Sequence, residues 1–77
     1  MTVKIYSTST CPYCVMAKDF LKSNKISFEE FNVGTDTKAR EEMFNKSHQM
    51  GVPVLDINGE IIVGFNRPEI ERTLGLK

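Results

Sequence analysis

The periodicity of apolar positions changes several times along this chain, and each change marks a new element. The first apolar run, Val3 to Tyr6, is short and β-branched. It stops at Ser7-Thr8-Ser9-Thr10, which predicts a strand running into a polar loop. From Pro12 to about Asn24 the period becomes helical. Tyr13, Ala17, Phe20 and Leu21 fall on one stripe, with Lys18, Asp19 and Lys22 off it. Pro12 suits the first helical turn, where its missing N–H is no loss. Ser23-Asn24-Lys25 predicts the stop, with Asn24 in the left-handed cap conformation. Ile26, Phe28, Phe31 and Val33 then alternate in part around Glu29-Glu30 and predict a second strand. A helix of about a dozen residues between two strands implies a parallel pair joined by a right-handed crossover.

Gly34-Thr35-Asp36-Thr37 opens a second helix to about Ser47, with Ala39, Met43 and Phe44 on its inner stripe. Gly51-Val52-Pro53 interrupts the pattern. Asn58-Gly59 then separates Val54–Ile57 from Glu60–Val63, the pairing that a two-residue type I′ hairpin turn demands. In the last segment Asn66 is a good N-cap, with Glu69 three residues on to complete a capping box. Ile70 and Leu74 point inward, and Gly75 ends the helix. The predicted order is βαβαββα. It describes an α/β fold with a four-stranded mixed sheet and three helices, and the whole of residues 1–77 is expected to form one domain.

Composition narrows the function. The 77 residues carry ten basic and ten acidic side chains, so the net charge is zero. Nucleic-acid binding needs a surplus of Lys and Arg, and no nucleic-acid partner is expected. No apolar run approaches the ~18–20 residues of a membrane span, so no membrane partner is expected either. Met1-Thr2-Val3-Lys4-Ile5-Tyr6 reads as the start of the fold and not as a secretory leader. No spare apolar stripe is visible, and a monomer is expected.

The two cysteines, Cys11 and Cys14, carry the chemistry. A bridge between them closes a tiny loop and removes little entropy from the unfolded chain, so a structural role explains them poorly. Cys-x-x-Cys where a strand meets a helix, within a βαβ unit, is the pattern of a thioredoxin-like redox site in a reducing, cytoplasmic setting. Cys11 sits at the helix N-terminus, where free N–H groups and the helix dipole favour negative charge. Cys14 lies one turn later on the same face, close enough to attack a mixed disulfide on Cys11. Zinc wants about four ligands, and only Cys11, Cys14 and His48 are available, so no metal site is expected. His48 reads as a solvated loop residue. A small metal-carrier domain with Cys-x-x-Cys is the alternative of another class. Such carriers usually have Met two residues before the first Cys, where this chain has Ser9, and their order is βαββαβ. In the redox context a cis Val52–Pro53 bond is expected, turning the Val52 backbone towards the cysteines.

With these residues in place the sequence resembles the glutaredoxins, small thioredoxin-fold disulfide oxidoreductases, over nearly its whole length. Cys11-Pro12-Tyr13-Cys14 looks like the dithiol glutaredoxin active site. Gln49-Met50-Gly51-Val52-Pro53 is similar to the family's Thr-Val-Pro segment, and Gly64-Phe65-Asn66 stands where the family has Gly-Gly. The resemblance implies glutathione as co-substrate, with no bound cofactor, and disulfide-containing proteins or glutathione mixed disulfides as substrates. It implies a glutathione groove formed by Tyr13, Gln49, Val52, Pro53, Gly64, Phe65 and Asn66. There the tripeptide's cysteine backbone pairs with Val52, its γ-glutamyl carboxylate meets the start of the last helix, and its glycine carboxylate meets Gln49. The chain departs from the family at Thr8, Gly51 and Arg67, where Lys, Thr and Asp are usual. Gly64-Phe65-Asn66-Arg67-Pro68-Glu69 is similar to the Gly-Phe-Arg-Pro segment of NrdH-redoxins, which implies thioredoxin reductase as the alternative electron donor.

Overall fold

The computed structural model describes residues 2–76. The elements run β1 (Val3–Ser7), α1 (Pro12–Ser23), β2 (Glu29–Asn32), α2 (Thr37–Ser47), β3 (Val54–Ile57), β4 (Glu60–Val63) and α3 (Arg67–Leu74). The sheet order is β2-β1-β3-β4. β1 and β2 are parallel, Lys4 opposite Glu29. β1 pairs antiparallel with β3, and β3 with β4. The sheet is therefore mixed and four-stranded, with the thioredoxin-like glutaredoxin arrangement expected.

Strand alternation sends side chains to two faces. Val3, Ile5, Leu55, Ile57 and Ile62 meet Ala17 and Leu21 of α1 and Ile70 and Leu74 of α3. Tyr6, Val33 and Val54 meet Ala39 and Met43 of α2 on the other side. The hairpin turn has φ of 52° at Asn58 and 94° at Gly59, which Asn and Gly tolerate and β-branched residues do not.

Several local expectations change. The left-handed residue after α1 is Lys25, at φ 58°, and Asn24 stays at φ −94°. The Ile26 N–H donates to the Leu21 carbonyl and the Lys25 N–H to the Lys22 carbonyl, a Schellman closure one residue later than Asn24 predicts. That closure swings Ile26 and Phe28 against the core, so β2 is shorter than the apolar pattern. Phe44 is exposed, because α2 buries only the narrow stripe of Ala39 and Met43. Tyr13 is exposed too: it sits in the first turn of α1, outside both apolar clusters. The Asn66 side chain accepts from the Glu69 N–H at 3.5 Å, but the Glu69 carboxylate binds Arg72, so the capping box is one-sided.

Candidate active site

β1 ends at Ser7, and the loop after it delivers Cys11 as the N-cap of α1. Cys11 has extended backbone angles, φ −99° and ψ 109°, and its sulfur takes the place a Ser or Asp oxygen usually fills at such a cap. The Cys14 N–H donates to Cys11 Sγ at 3.1 Å. Pro12 follows at the first helical position and gives up no hydrogen bond there.

The two thiols occupy different surroundings. Cys11 is half-buried and Cys14 fully buried. Burial pushes the Cys14 thiol up to about 11, and its hydrogen bond with Cys11 adds to the rise. The Thr8 backbone and the Lys18 ammonium pull the other way without reversing it. At neutral pH Cys14 is therefore a thiol, and Cys11 is the sulfur that a disulfide can reach.

The Val52–Pro53 peptide is cis, as expected. The Cys11 thiol lies 3.9 Å from the Val52 carbonyl, so the loop before β3 is folded against the cysteine pair. Pro53 is buried, and its carbonyl accepts from the Gly64 N–H at 2.7 Å. That bond ties the proline loop to the Gly64-Phe65-Asn66 segment. Gly64 has φ 80°, a backbone conformation that suits glycine.

The structure thus joins Cys11, Cys14, Val52, Pro53 and Gly64 through adjoining contacts. Tyr13 projects into solvent beside Cys11. Phe65 packs edge-on against Phe20 with ring centroids 6.1 Å apart, and Asn66 caps α3. Gln49 folds back on its own loop. Its Nε2 donates to the Gly51 carbonyl at 3.0 Å, and its Oε1 accepts from the Gly51 N–H at 2.6 Å. Both ends of the amide are engaged on one glycine. A Cβ at position 51 would meet Gln49 Oε1 at 2.7 Å, so Gly51 is what admits this clasp. His48 is exposed in the left-handed conformation just after α2, at φ 60°.

A polar group that sequence reasoning missed ties α1 to β2. Lys18 Nζ donates to Glu30 Oε2 at 2.7 Å, and the buried Ser7 hydroxyl donates to the same oxygen at 3.4 Å. Lys18 holds the Glu30 carboxyl below its ordinary value. The one available signal was Glu29-Glu30 breaking an otherwise apolar strand.

Comparison with known proteins agrees with this geometry. The glutaredoxin family model matches residues 3–62. The chain is 54% identical over 72 residues to an uncharacterized glutaredoxin-like 8.6 kDa protein of the rubredoxin operon of Clostridium pasteurianum, covering 94% of this chain and 96% of that one. It is 40% identical over 62 residues to glutaredoxin 3 of Escherichia coli, covering 80% and 75%. The structure of the glutaredoxin-like NrdH-redoxin from Escherichia coli, described as having a thioredoxin-like activity profile, superposes with a TM-score of 0.84 at 25% identity, covering 94% and 93%. With Cys-Pro-Tyr-Cys at the cap of α1, a cis-proline beside it and a family match across most of the sheet, this chain belongs to the glutaredoxin family of thiol redox proteins.

Proposed function

We propose that the protein reduces disulfides with Cys11 and Cys14 and draws its electrons from glutathione. The observation that carries this reading is the asymmetry of the pair: a reachable Cys11 sulfur at a helix N-terminus, receiving the Cys14 N–H at 3.1 Å, above a buried Cys14 thiol. Cys11 reacts through its sulfur as the nucleophile and attacks one sulfur of the substrate disulfide. A Cys11–S–S–R bond forms, the substrate S–S bond breaks, and the second substrate sulfur leaves as a thiolate that takes up a proton. Cys14 or a glutathione thiol then attacks Cys11 and releases R–SH. Two glutathione molecules return the oxidised pair to the dithiol and leave as glutathione disulfide.

In this reading the Val52 backbone pairs with the cysteine unit of glutathione. The start of α3, at Phe65 and Asn66, receives the γ-glutamyl carboxylate, and Tyr13 closes the groove. Gln49 meets the glycine carboxylate only by releasing Gly51. Glutathione is a co-substrate, and no bound cofactor takes part.

The Gln49–Gly51 clasp favours a second reading. With its amide engaged and Arg67 beginning α3, the chain is an NrdH-like redoxin reduced by thioredoxin reductase. NADPH consumption with a small disulfide separates the two. One assay supplies glutathione and glutathione reductase, and the other supplies thioredoxin reductase alone. Turnover with glutathione is expected. Turnover only with thioredoxin reductase replaces the glutathione groove by a protein-docking surface.

A further inference from the structure

We propose that Lys18, held in place by Glu30, is a positioning residue for the second half of the exchange, setting a fixed positive charge beside Cys14 as that thiol attacks the mixed disulfide on Cys11. This inference rests on the dithiol reading above.

Cys14 is fully buried, so water does not stabilise its thiolate and the protein must. Lys18 lies four residues on along α1, on the same helical face. Its side chain is only 20% exposed, and its ammonium is tied to Glu30 of β2 at 2.7 Å. Glu30 is steadied by the buried Ser7 hydroxyl at the end of β1. The groups acting on Cys14 are Cys11 and the Thr8 backbone from the β1–α1 loop and Lys18 from its own helix. Behind Lys18 stand Glu30 and, acting on Glu30, Lys22.

The balance of these groups changes during the reaction. In the reduced protein Cys11 opposes ionisation of Cys14. Once Cys11 is bonded to substrate sulfur it carries no charge and that opposition ends. The Lys18 ammonium and the Thr8 backbone remain, both favouring the thiolate. In the resolving step the Cys14 S–H bond breaks, the Cys14–Cys11 disulfide forms, and the Cys11–S–S–R bond breaks. The electron pair leaves on R–S⁻, which takes up the proton that Cys14 gave up. The two cysteines are oxidised and the substrate disulfide is reduced.

An aromatic disulfide whose released thiolate is coloured tests this directly. The first equivalent of colour reads Cys11 attack and the second reads Cys14 attack. The quantity of interest is the ratio of the second rate to the first, across pH. In Lys18→Met the ratio is expected to fall by more than about twofold at pH 7, with the pH midpoint of the second release moved upward. Lys18→Arg should keep most of the ratio, and Glu30→Gln should fall between. A ratio within twofold of the parent in Lys18→Met overturns the proposal, as does a fall of equal size at every pH, which marks a merely structural tie. If Lys18→Met does not fold, as judged by circular dichroism, an unmoved ratio in folded Glu30→Gln overturns it equally. Loss of the first release in the parent protein overturns the dithiol reading and this proposal together. A normal first release with an unmoved ratio overturns this proposal alone.

Discussion

The two faces of the sheet are held by different forces. Under α1 and α3, nine buried residues form a wholly aliphatic cluster, and the helix carrying both cysteines is seated on it. Under α2 five residues are buried, and a charged network supplements them. Tyr6 donates its hydroxyl to Glu42, and Lys46 Nζ donates to that hydroxyl at 2.9 Å and to Asp56 at 2.6 Å. The ammonium also lies 5.3 Å from the centre of the Tyr6 ring. Burial alone would disfavour charge on Lys46 and Asp56. Their mutual bond overcomes it, raising Lys46 and, with the Gly59 N–H, lowering Asp56. The contrast teaches that the reactive helix is seated on an aliphatic cluster with its ion pair to Glu30 at the margin, while a titratable network is built into the seat of the helix that carries no cysteine.

The largest expected effect is on activity. Cys11→Ser should reduce disulfide turnover to the uncatalysed rate while leaving the urea midpoint nearly unchanged, since serine is itself a good N-cap. A coupled NADPH assay and a urea melt check the two halves. Next comes the aliphatic face. Leu55→Ala should cost about 3 kcal/mol by urea unfolding, within the ~2–5 kcal/mol span for such truncations and a large share of a small domain's stability. On the α2 face Lys46→Met should cost less, about 1–2 kcal/mol, by leaving Asp56 and Tyr6 short of a partner. If Lys46→Met proves costlier than Leu55→Ala, the comparison fails.

Acid probes the network on the α2 face. Glu42 is lowered chiefly by the Tyr6 hydroxyl, and Asp56 is lowered by Lys46 and Gly59 against its burial. A carboxyl whose folded value lies below its unfolded one adds stability above the unfolded value, and that stability is lost as pH falls through the folded value. The parent protein should therefore lose stability below about pH 4, and Asp56→Asn should lose less over the same range. Thermal melts between pH 6 and 2 read this slope, and parallel slopes would assign the acid sensitivity elsewhere. The smallest effect is expected at the start of α3. Asn66→Ala should cost about 0.5 kcal/mol, since its cap bond is long at 3.5 Å, and the urea midpoint again reads it.

Much of this was legible because the signals are local. Asn58-Gly59 fixes its own turn, Asn66 caps its own helix, and Cys11 and Cys14 are a turn apart on one element. Tyr13 and Phe44 misled because helical period reports angle, and burial also requires a sheet on that side. Tyr13 sits in the first turn of α1, and Phe44 lies one position beyond the narrow Ala39–Met43 stripe. The polar networks were illegible because they are long-range: Tyr6 meets Glu42 and Lys46 across 36 and 40 residues, and Ser7 meets Glu30 across 23. Only Glu30 and Asp56, acids inside apolar strands, hinted that partners existed. Gln49 shows the remaining gap. Its identity fits a ligand contact, but a glycine two residues on lets it fold onto its own backbone.

The sheet order has a consequence for how copies of the chain meet. β2 and β4 are the open edges, and each is four residues long. Alternate residues of a strand direct their amide groups to the same side, so each edge offers about two residues' worth of free N–H and C=O to a stranger strand. Glu29 and Glu30 occupy half of one edge, and Glu60 opens the other with Arg72 across it. A neighbour docking there would find little ladder to extend and a carboxylate at its start. Brevity and charge at these two margins both work against edge-to-edge pairing.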